Sequence, residues 1–473
     1  MKLYNTLGRE LQTFKPLSPK VVKVYSCGPT VYDYAHIGNL RAFIFADTLR
    51  RTLSSQGYTV RHVMNITDVG HLSSDADTGE DKLEKGAERE GKSVWDVAKK
   101  YTQSFLDDAR SLQIMQPNGY EGMPDGYARA TDFIPQQIAM IVSMLEKEYA
   151  YITKDAIYFD VTKQEAYGEL SGQKLEDKET AVREEVVQDA QKHHPYDFAL
   201  WFFAVGRFKD HAMQWDSPWG RGFPGWHLEC SAIIHETLQD PIDIHTGGVD
   251  HIGTHHTNEI AQTEAAFGHS LANYWLHNEF VLVDGTKMSK SLGNFYTLHD
   301  IREKGYDPLA FRLLVLQAHY RSQLNFTWES LEAAQTFLVR IRAWADLAHQ
   351  KPSTKTEVAD TYHHALEKMR VALSQDLNTT EALGWLSGLV NQSETHGWNP
   401  QSLLELLREI DAMFGLALSD RPDIAAEQKK RLEERATARQ ANDWETADTI
   451  RKSLEKENIG VRDSKYGQVW FRL

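Results

Sequence analysis

The chain has 473 residues, 41% of them hydrophobic and 25% charged, with a formal net charge of −15 at pH 7. This composition indicates two to four globular domains. The excess of acidic residues argues against a protein that binds nucleic acid over most of its surface. No apolar run reaches the ~20 residues that cross a bilayer, and the first residues lack the layout of a secretory signal, so we expect a cytoplasmic protein with no membrane partner. With only two cysteines, far apart in the sequence, a disulfide framework is not expected.

The chain begins with a strand–helix–strand pattern. β-branched and aromatic residues predict a strand over 20–26, apolar residues at helical spacing predict a helix over 37–56, and residues 58–66 predict a second strand. Such a unit implies a parallel sheet with a right-handed crossover. Because Cys27 ends the first strand and a helix begins shortly after it, this corner places a metal ligand beside an anion site.

Two short motifs suit phosphate binding. His36-Ile-Gly-Asn39 opens the predicted helix, and Lys287-Met-Ser-Lys290-Ser follows a predicted strand and an Asp-Gly turn. Taken alone, the first is equally a helix start with a capping asparagine, and the second is usually solvated surface. Two lysines and two serines on one loop nevertheless suit a triphosphate, because cations and hydroxyls stabilise charge on its oxygens.

Cysteine, histidine and glutamate also form a candidate metal set. His255 and Glu259 are four residues apart in a predicted helix, so their side chains share one face. With Cys27 and Cys230 they supply nitrogen, oxygen and sulfur ligands of a kind that Zn²⁺ accepts. Taken singly, a buried cysteine is usually a small core residue and a histidine within a helix usually binds no metal.

Together, the two phosphate motifs resemble the paired signatures of class I aminoacyl-tRNA synthetases, and nearly the whole chain resembles the cysteinyl-tRNA synthetase family. Long segments in the family's order carry this resemblance: CGPTVY at 27–32, GWHLECSA at 225–232, DIHTGGVD at 243–250, HHTNE at 255–259, KMSKSLGN at 287–294, HYRSQLNF at 319–326 and ANDWETADTIR at 441–451.

The resemblance implies an α/β fold with a Rossmann-type parallel-sheet catalytic domain, an insertion, an α-helical bundle and a small C-terminal anticodon-binding module. Apolar residues at helical spacing favour the bundle independently, and a short strand is predicted over 468–473. The expected boundaries are 1–111 and 197–284 for the catalytic domain, 112–196 for the insertion, 285–326 for the KMSKS loop and stem-contact region, 327–420 for the bundle and 421–473 for the module, with connections at 350–355 and 418–422.

The resemblance also assigns roles to single residues, and it implies one zinc ion per chain, held by Cys27, Cys230, His255 and Glu259. Without it, Trp226 would be a core residue, Gly247-Gly248 a turn after a strand, and the arginines near Arg439 part of a salt-bridged exposed helix. The other implied contacts are His36, Asn39, Lys287 and Lys290 in catalysis; Gly38, Gly247, Gly248, Asp250 and Lys290 at ATP; Trp226, His227 and His256 at the amino acid; and Arg439, Trp444, Asp448 and Asp463 at the anticodon.

The implied reaction joins L-cysteine to tRNA(Cys) through cysteinyl-adenylate, with ATP-Mg²⁺ as a substrate and the protein acting as a monomer. Zinc would select the cysteine thiolate over the serine hydroxyl, which makes an editing domain unnecessary. Three features depart from the family pattern: Asn39 replaces a histidine, Thr257 replaces a glutamate, and residues 65–71 read NITDVGH. These three departures affect the expected geometry around ATP and around the metal ligands.

Two alternatives remain open at this point. A ligase that joins activated cysteine to an amino sugar would share the zinc and adenylation site but would lack residues 425–473. A non-catalytic paralogue that binds nucleotide or RNA is the second alternative, and the intact lysines and zinc ligands argue against it.

Overall fold

The computed structural model of the chain describes residues 1–70, 72, 80–123, 125–173, 191–289, 292–351, 358–464 and 466–473. It divides into two compact units, the first of residues 1–281, 288–298 and 320–323 and the second of residues 282–287, 299–319 and 324–473. Among the described residues, no helix combines the length and the apolar character needed to cross a membrane.

The described strands and helices are numbered here in chain order. The strands are β1 Lys2–Asn5, β2 Glu10–Thr13, β3 Val21–Ser26, β4 Thr59–Ile66, β5 Ala128–Arg129, β6 Ala150–Ile152, β7 Ala156–Phe159, β8 Phe198–Phe203, β9 Gly222–Pro224, β10 Ile242–Gly248, β11 Ala272–Asn278, β12 Val281–Val283, β13 Thr286–Lys287, β14 Leu324–Phe326, β15 Ile459–Ser464 and β16 Gly467–Arg472. The α-helices are α1 Ile37–Ser55, α2 Lys82–Glu90, α3 Val94–Ser111, α4 Ile134–Glu146, α5 Trp226–Leu238, α6 His255–Phe267, α7 Leu298–Glu303, α8 Pro308–Leu316, α9 Trp328–Ala345, α10 Ala359–Leu373, α11 Thr379–His396, α12 Pro400–Phe414, α13 Ala426–Gln440 and α14 Trp444–Glu455.

A five-stranded sheet of order β11-β10-β3-β4-β5 forms the core of the first unit. Its strand pairs are all parallel, and α1 connects β3 to β4, which confirms the predicted strand–helix–strand unit. In parallel strands the carboxyl ends meet at one edge of the sheet. Cys27 follows β3 and Gly248 ends β10, so both lie at that edge.

A second, antiparallel sheet of order β6-β7-β8-β9 supports two helices of the candidate site. Phe159 and Phe198 from this sheet share one buried hydrophobic cluster with Leu228 of α5 and Ala261 of α6. The strands β8 and β9 lie beyond residue 196, so this sheet joins the predicted insertion to the chain that follows it. The predicted domain boundaries themselves stay predictions.

The second unit is mainly helical, as expected for residues 327–420. The hairpin of β12 and β13 turns at Asp284 and Gly285, whose φ angles of 48° and 76° suit the predicted Asp-Gly turn. At the C-terminus, α13 and α14 precede an antiparallel hairpin of β15 and β16. Of these two strands, the sequence predicted only β16. Residues 352–355 of the predicted connection lie outside the described residues.

Candidate functional site

Four side chains from separate parts of the sequence converge at the carboxyl edge of the parallel sheet. Cys27 follows β3, Cys230 lies in α5, and His255 and Glu259 lie one turn apart in α6. One ligand atom from each of these residues lies within 4.8 Å of the others. The structure therefore brings together the four residues predicted as metal ligands.

The donor atoms of this group fit a divalent metal ion. Cys230 Sγ lies 3.5 Å from His255 Nε2, and that nitrogen lies 3.0 Å from Glu259 Oε1. Glu259 Oε1 is buried but makes no hydrogen bond of acceptable geometry. Two thiols, one imidazole nitrogen and one carboxylate oxygen are a donor set for a tetrahedral metal, and a bound metal would replace the direct contact between His255 and Glu259.

Neighbouring aromatic side chains orient two of these ligands. His227 Nδ1 lies 2.9 Å from His255 Nδ1, so the second ring nitrogen of His255 already has a partner. The Trp226 ring stacks on the His255 ring at 4.3 Å between centroids. His245 Nε2 lies 2.8 Å from Glu259 Oε2. Such contacts fix the direction in which a ligand presents its donor atom.

A second possible donor group overlaps the first, because Cys27, His245, His256 and Glu259 also offer atoms within 4.8 Å of one another. His256 Nε2 lies 3.3 Å from Cys27 Sγ, and its Nδ1 lies 2.8 Å from Nε2 of His277. Sequence reasoning missed His245 and His277. The available signal was a histidine within an apolar strand, since a buried imidazole needs hydrogen-bond partners.

Burial and mutual contacts shift the pKa values of this cluster. Burial would lower the pKa of His255, but Glu259 and Cys230 raise it to about 10. Burial would raise the pKa of Cys230, but the bonds from Cys27 and His255 lower it to about 6. The pKa of Glu259 is also lowered against the effect of burial, chiefly by His245 and His255. Burial and the neighbouring Cys230 instead raise the pKa of Cys27 well above its usual value, so Cys230 and Glu259 are the anionic donors that a cation would neutralise.

For the surrounding histidines, the effect of burial prevails over that of neighbouring charges. It lowers the pKa of His227, His256 and His277 well below the usual value. These imidazoles are therefore neutral near pH 7. A neutral ring can accept at one nitrogen and donate at the other, as their paired contacts require.

A chain of hydrogen bonds joins the two backbone segments that carry the cysteines. The Gly28 N–H donates to Asn65 Oδ1 at 2.7 Å, and Asn65 Nδ2 donates to Thr67 Oγ1 at 3.0 Å. Thr67 Oγ1 then donates to Glu229 Oε2 at 2.8 Å. A Cβ atom on Gly28 would lie 1.8 Å from the Asn65 carbonyl oxygen. Gly28 and Glu229 each adjoin a ligand cysteine, so this chain fixes the spacing between both thiols.

The residues 36–39 form a reciprocal cap at the start of α1. His36 Nδ1 accepts hydrogen bonds from the backbone N–H groups of Gly38 at 3.0 Å and Asn39 at 3.3 Å, and Asn39 Oδ1 accepts from the His36 N–H at 3.2 Å. The capping residue is therefore His36 and not the asparagine. Because Nδ1 accepts, the neutral ring carries its proton on Nε2, which can donate to a ligand.

The glycines expected near ATP have local structural reasons as well. A Cβ atom on Gly38 would lie 2.8 Å from the His36 ring, and one on Gly247 would lie 2.6 Å from His251 Nδ1. Gly248 precedes the short helix Val249–His251, and Asp250 in that helix is exposed. Their contacts with ATP stay predictions.

The lysines of the KMSKS segment lie partly outside the described residues. Lys287 is an exposed residue of β13 in the second unit. Lys290 is not among the described residues. The catalytic roles of both lysines stay predictions.

Three of the four predicted anticodon contacts lie together in the second unit. The Arg439 guanidinium lies over the Trp444 ring at 5.2 Å and 3.3 Å from Asp463 Oδ2. Trp444 is 53% exposed. Asp448 instead pairs with Arg451 at 3.3 Å. A cation beside an exposed indole is a surface on which a nucleic acid base can stack.

Comparison with known proteins identifies the family. The sequence profile described as the class I (C) tRNA synthetase catalytic domain matches residues 13–336, and that of the cysteinyl-tRNA ligase anticodon binding domain matches residues 421–470. Cysteine–tRNA ligase 1 of Burkholderia lata is 45% identical over 482 residues, which cover 100% of this chain and 97% of that protein. The chain belongs to the cysteine–tRNA ligase family. A second member, from Treponema denticola, is 40% identical over 100% of both chains.

Solved structures of other synthetases share the fold of this cysteine–tRNA ligase family member. Methionyl-tRNA synthetase of Mycobacterium tuberculosis covers 85% of this chain at a TM-score of 0.59 and 14% identity, with 93% of its own chain matched. The leucyl enzyme of Agrobacterium radiobacter covers 87% at a TM-score of 0.60 and 12% identity, with 86% of its chain matched. The expected Rossmann-type catalytic core is thereby confirmed, and the protein is a ligase of the class I aminoacyl-tRNA synthetases.

Proposed function

We propose that this cysteine–tRNA ligase works in two steps in the cytoplasm, as a monomer. The carboxylate oxygen of L-cysteine bonds to the α-phosphorus of ATP-Mg²⁺, and the bond to pyrophosphate breaks, which gives cysteinyl-adenylate. A terminal ribose hydroxyl of tRNA(Cys) then attacks the carbonyl carbon, gives up its proton and displaces AMP. The convergence of Cys27, Cys230, His255 and Glu259 in a member of this family carries the proposal.

These four residues would hold zinc. When bound, zinc lowers the pKa of the substrate thiol and prefers sulfur to the serine hydroxyl. His227 and His245 orient the ligands His255 and Glu259 through their own contacts. Trp226 and His256 flank the ligand atoms and would pack on the amino acid, and His227 would line the same pocket.

The start of α1 would bind the reacting phosphates. His36 would donate from Nε2 to a phosphate oxygen, the backbone N–H groups of the first turn supply partial positive charge, and Asn39 adds an amide. Lys287 and Lys290 would neutralise the leaving pyrophosphate. Close approach of adenosine is expected at Gly38, Gly247 and Gly248, with Asp250 accepting from ribose hydroxyls.

The C-terminal module would read the anticodon. Arg439 and Trp444 offer a cation and a stacking surface, while Asp448 and Asp463 can accept hydrogen bonds from bases. The match of residues 421–470 to an anticodon binding domain favours tRNA as the acceptor over an amino sugar.

Cysteine-dependent ATP–pyrophosphate exchange, run in parallel with serine, tests the proposal when zinc is quantified in the same samples. We expect about one zinc per chain, because one set of four ligands binds one ion. We also expect strong preference for cysteine over serine. Cys230→Ala should lose both. Thr237→Ala, a buried change on the same helix, should retain both.

Three results would contradict this proposal. Full activity after zinc removal would overturn the selection of cysteine by a metal. Transfer of cysteine to an amino sugar and not to tRNA would restore the first alternative, and absence of exchange in zinc-loaded protein would favour the non-catalytic paralogue.

A further inference from the structure

A buried polar cluster in the second unit connects the helical bundle with the C-terminal module. Asp346 and Gln350 follow α9 and are only 0% and 8% exposed. Their partners Arg421, Trp470 and Arg472 lie at the two ends of residues 421–473. We call these five residues the docking cluster.

Gln350 binds the free edge of the terminal hairpin. Its Nε2 donates to the Trp470 carbonyl oxygen at 2.8 Å, and its Oε1 accepts from the Trp470 N–H at 2.9 Å. The other edge of β16 pairs with β15. The side-chain amide therefore takes the place of a neighbouring strand's peptide group, which has the same donor and acceptor.

Asp346 binds both ends of the module through its carboxylate. It accepts two hydrogen bonds from Arg421, from Nε at 2.8 Å and Nη2 at 2.9 Å. It also accepts from Nη1 and from the backbone N–H of Arg472, both at 3.0 Å. A fully buried carboxylate with this many charged partners imposes one geometry, because any displacement would leave the charge unpaired.

We propose that Asp346 and Gln350 are positioning residues for tRNA recognition. They act through the docking cluster, which fixes the orientation in which the module presents Arg439 and Trp444 relative to the bundle. This inference rests on the proposed function, since it requires that residues 421–473 bind the anticodon. Cysteine activation needs no anticodon contact and is independent of the cluster.

Gln350→Ala tests this role against wild type and against Gln375→Ala, an exposed glutamine between α10 and α11. Three reactions are measured: ATP–pyrophosphate exchange, charging of full-length tRNA(Cys), and charging of an acceptor-stem minihelix without an anticodon. In Gln350→Ala we expect KM for full-length tRNA to rise about tenfold, which corresponds to a loss of ~1.4 kcal/mol of binding free energy. Its kcat, the exchange rate and minihelix charging should stay unchanged, and the control should match wild type.

Hydrogen exchange of the hairpin 459–472 separates positioning from folding. Retained protection in Gln350→Ala, together with the raised KM, supports the proposal. Loss of protection along the whole hairpin would show that Gln350 stabilises the module's fold, and an unchanged KM would show that the contact has no role in tRNA binding; either overturns it. If wild type itself lacks exchange with cysteine, the proposed function has failed, whereas normal exchange and charging with an unchanged variant defeats only this inference.

Discussion

At the residue scale, Glu259 belongs, with Cys27, to both possible donor groups of the candidate metal centre. It is 0% exposed, its Oε2 lies 2.8 Å from His245 Nε2, and its Oε1 lies 3.0 Å from His255 Nε2. A buried carboxylate is costly unless a cation pairs with its charge. A metal ion at this position would remove that cost, so the residue links metal binding to stability.

Glu259→Gln therefore should lose zinc. The amide keeps the size of the side chain but removes the charge, so we expect the zinc affinity to fall by more than the roughly 10- to 100-fold typical of changes around a ligand. Competition with a chromogenic chelator measures this directly. Glu264→Gln, a half-buried change in the same helix, serves as the matched control and should keep wild-type affinity. Equal zinc affinity in the two variants would contradict the assignment.

Local spacing identified only part of this centre. His255 and Glu259 could be paired because a helix brings residues four apart onto one face. Nothing local connects them with Cys27 or Cys230, so that step required the family resemblance. His245 and His277 were missed because their roles arise from strand pairing, which places β10 beside both β3 and β11.

At the element scale, the start of α1 combines a structural role with a proposed catalytic one. His36 caps the helix through Nδ1, and its Nε2 is the atom proposed to donate to a phosphate. The sequence motif alone could not separate these roles, because both require a polar residue at this position. The two ring nitrogens nevertheless allow a mutational separation.

His36→Asn and His36→Ala should differ in stability and agree in activity. Asparagine is a good capping residue, so His36→Asn should unfold like wild type, whereas His36→Ala should lose about 1 kcal/mol. Both lack the Nε2 donor, and we expect both to reduce the exchange rate by about 10²- to 10³-fold. Thermal unfolding and exchange assays measure the two effects. An active His36→Asn enzyme would limit His36 to capping.

His211 connects a loop to the first turn of α2. Its Nε2 lies 3.4 Å from Asp81 Oδ2, and Glu84 Oε1 lies 3.9 Å away. Burial alone would lower the pKa of His211, but the hydrogen bond and charge of Asp81, with Glu84, raise it. A raised pKa in the folded state stabilises the protein below the unfolded value of about 6.5, and this contribution is lost as pH rises through the folded value.

His211→Gln should therefore destabilise the protein more at pH 6 than at pH 8.5. Thermal melts of the variant and of wild type at both pH values give the comparison. His363→Gln, at an exposed position of α10, should show no such pH dependence. A destabilisation that is equal at both pH values would mean that His211 acts by packing on Phe223 alone.

Secondary structure was predictable where its signal was local. The unit of β3, α1 and β4 follows from a change between strand and helix periodicity, and it was found almost to the residue. The strand β15 was missed because IGVRDS lacks regular alternation of apolar and polar residues. It is a strand because β16 pairs with it, which is information from a later part of the chain.

At the scale of the whole molecule, the proposed reaction is divided between the two units. The metal ligands and the cap of α1 belong to the first unit, and the candidate anticodon contacts belong to the second. Lys287, which is proposed to act in activation, also lies in the second unit, so we expect separate effects only from changes at the metal ligands or at the anticodon contacts.

Trp444→Ala should weaken tRNA binding without changing cysteine activation. Base stacking on an aromatic ring contributes about 1–3 kcal/mol, so we expect KM for tRNA(Cys) to rise roughly 5- to 100-fold. Aminoacylation kinetics and pyrophosphate exchange provide the two measurements. Trp95→Ala removes an equally exposed tryptophan of the first unit and should leave KM for tRNA unchanged. An unaltered KM in Trp444→Ala would exclude stacking on this ring.

The contact between Gly28 and the Asn65 carbonyl has a consequence for mutational tolerance. Any larger residue at position 28 would force β3 and β4 apart where they end, because the space for even one methyl group is absent. A saturation library of this codon can be selected in cells whose growth depends on the activity of this enzyme. We expect sequencing of the surviving clones to recover glycine alone. Gly28, which contributes no atom to the metal site, would then tolerate substitution as little as the neighbouring Cys27.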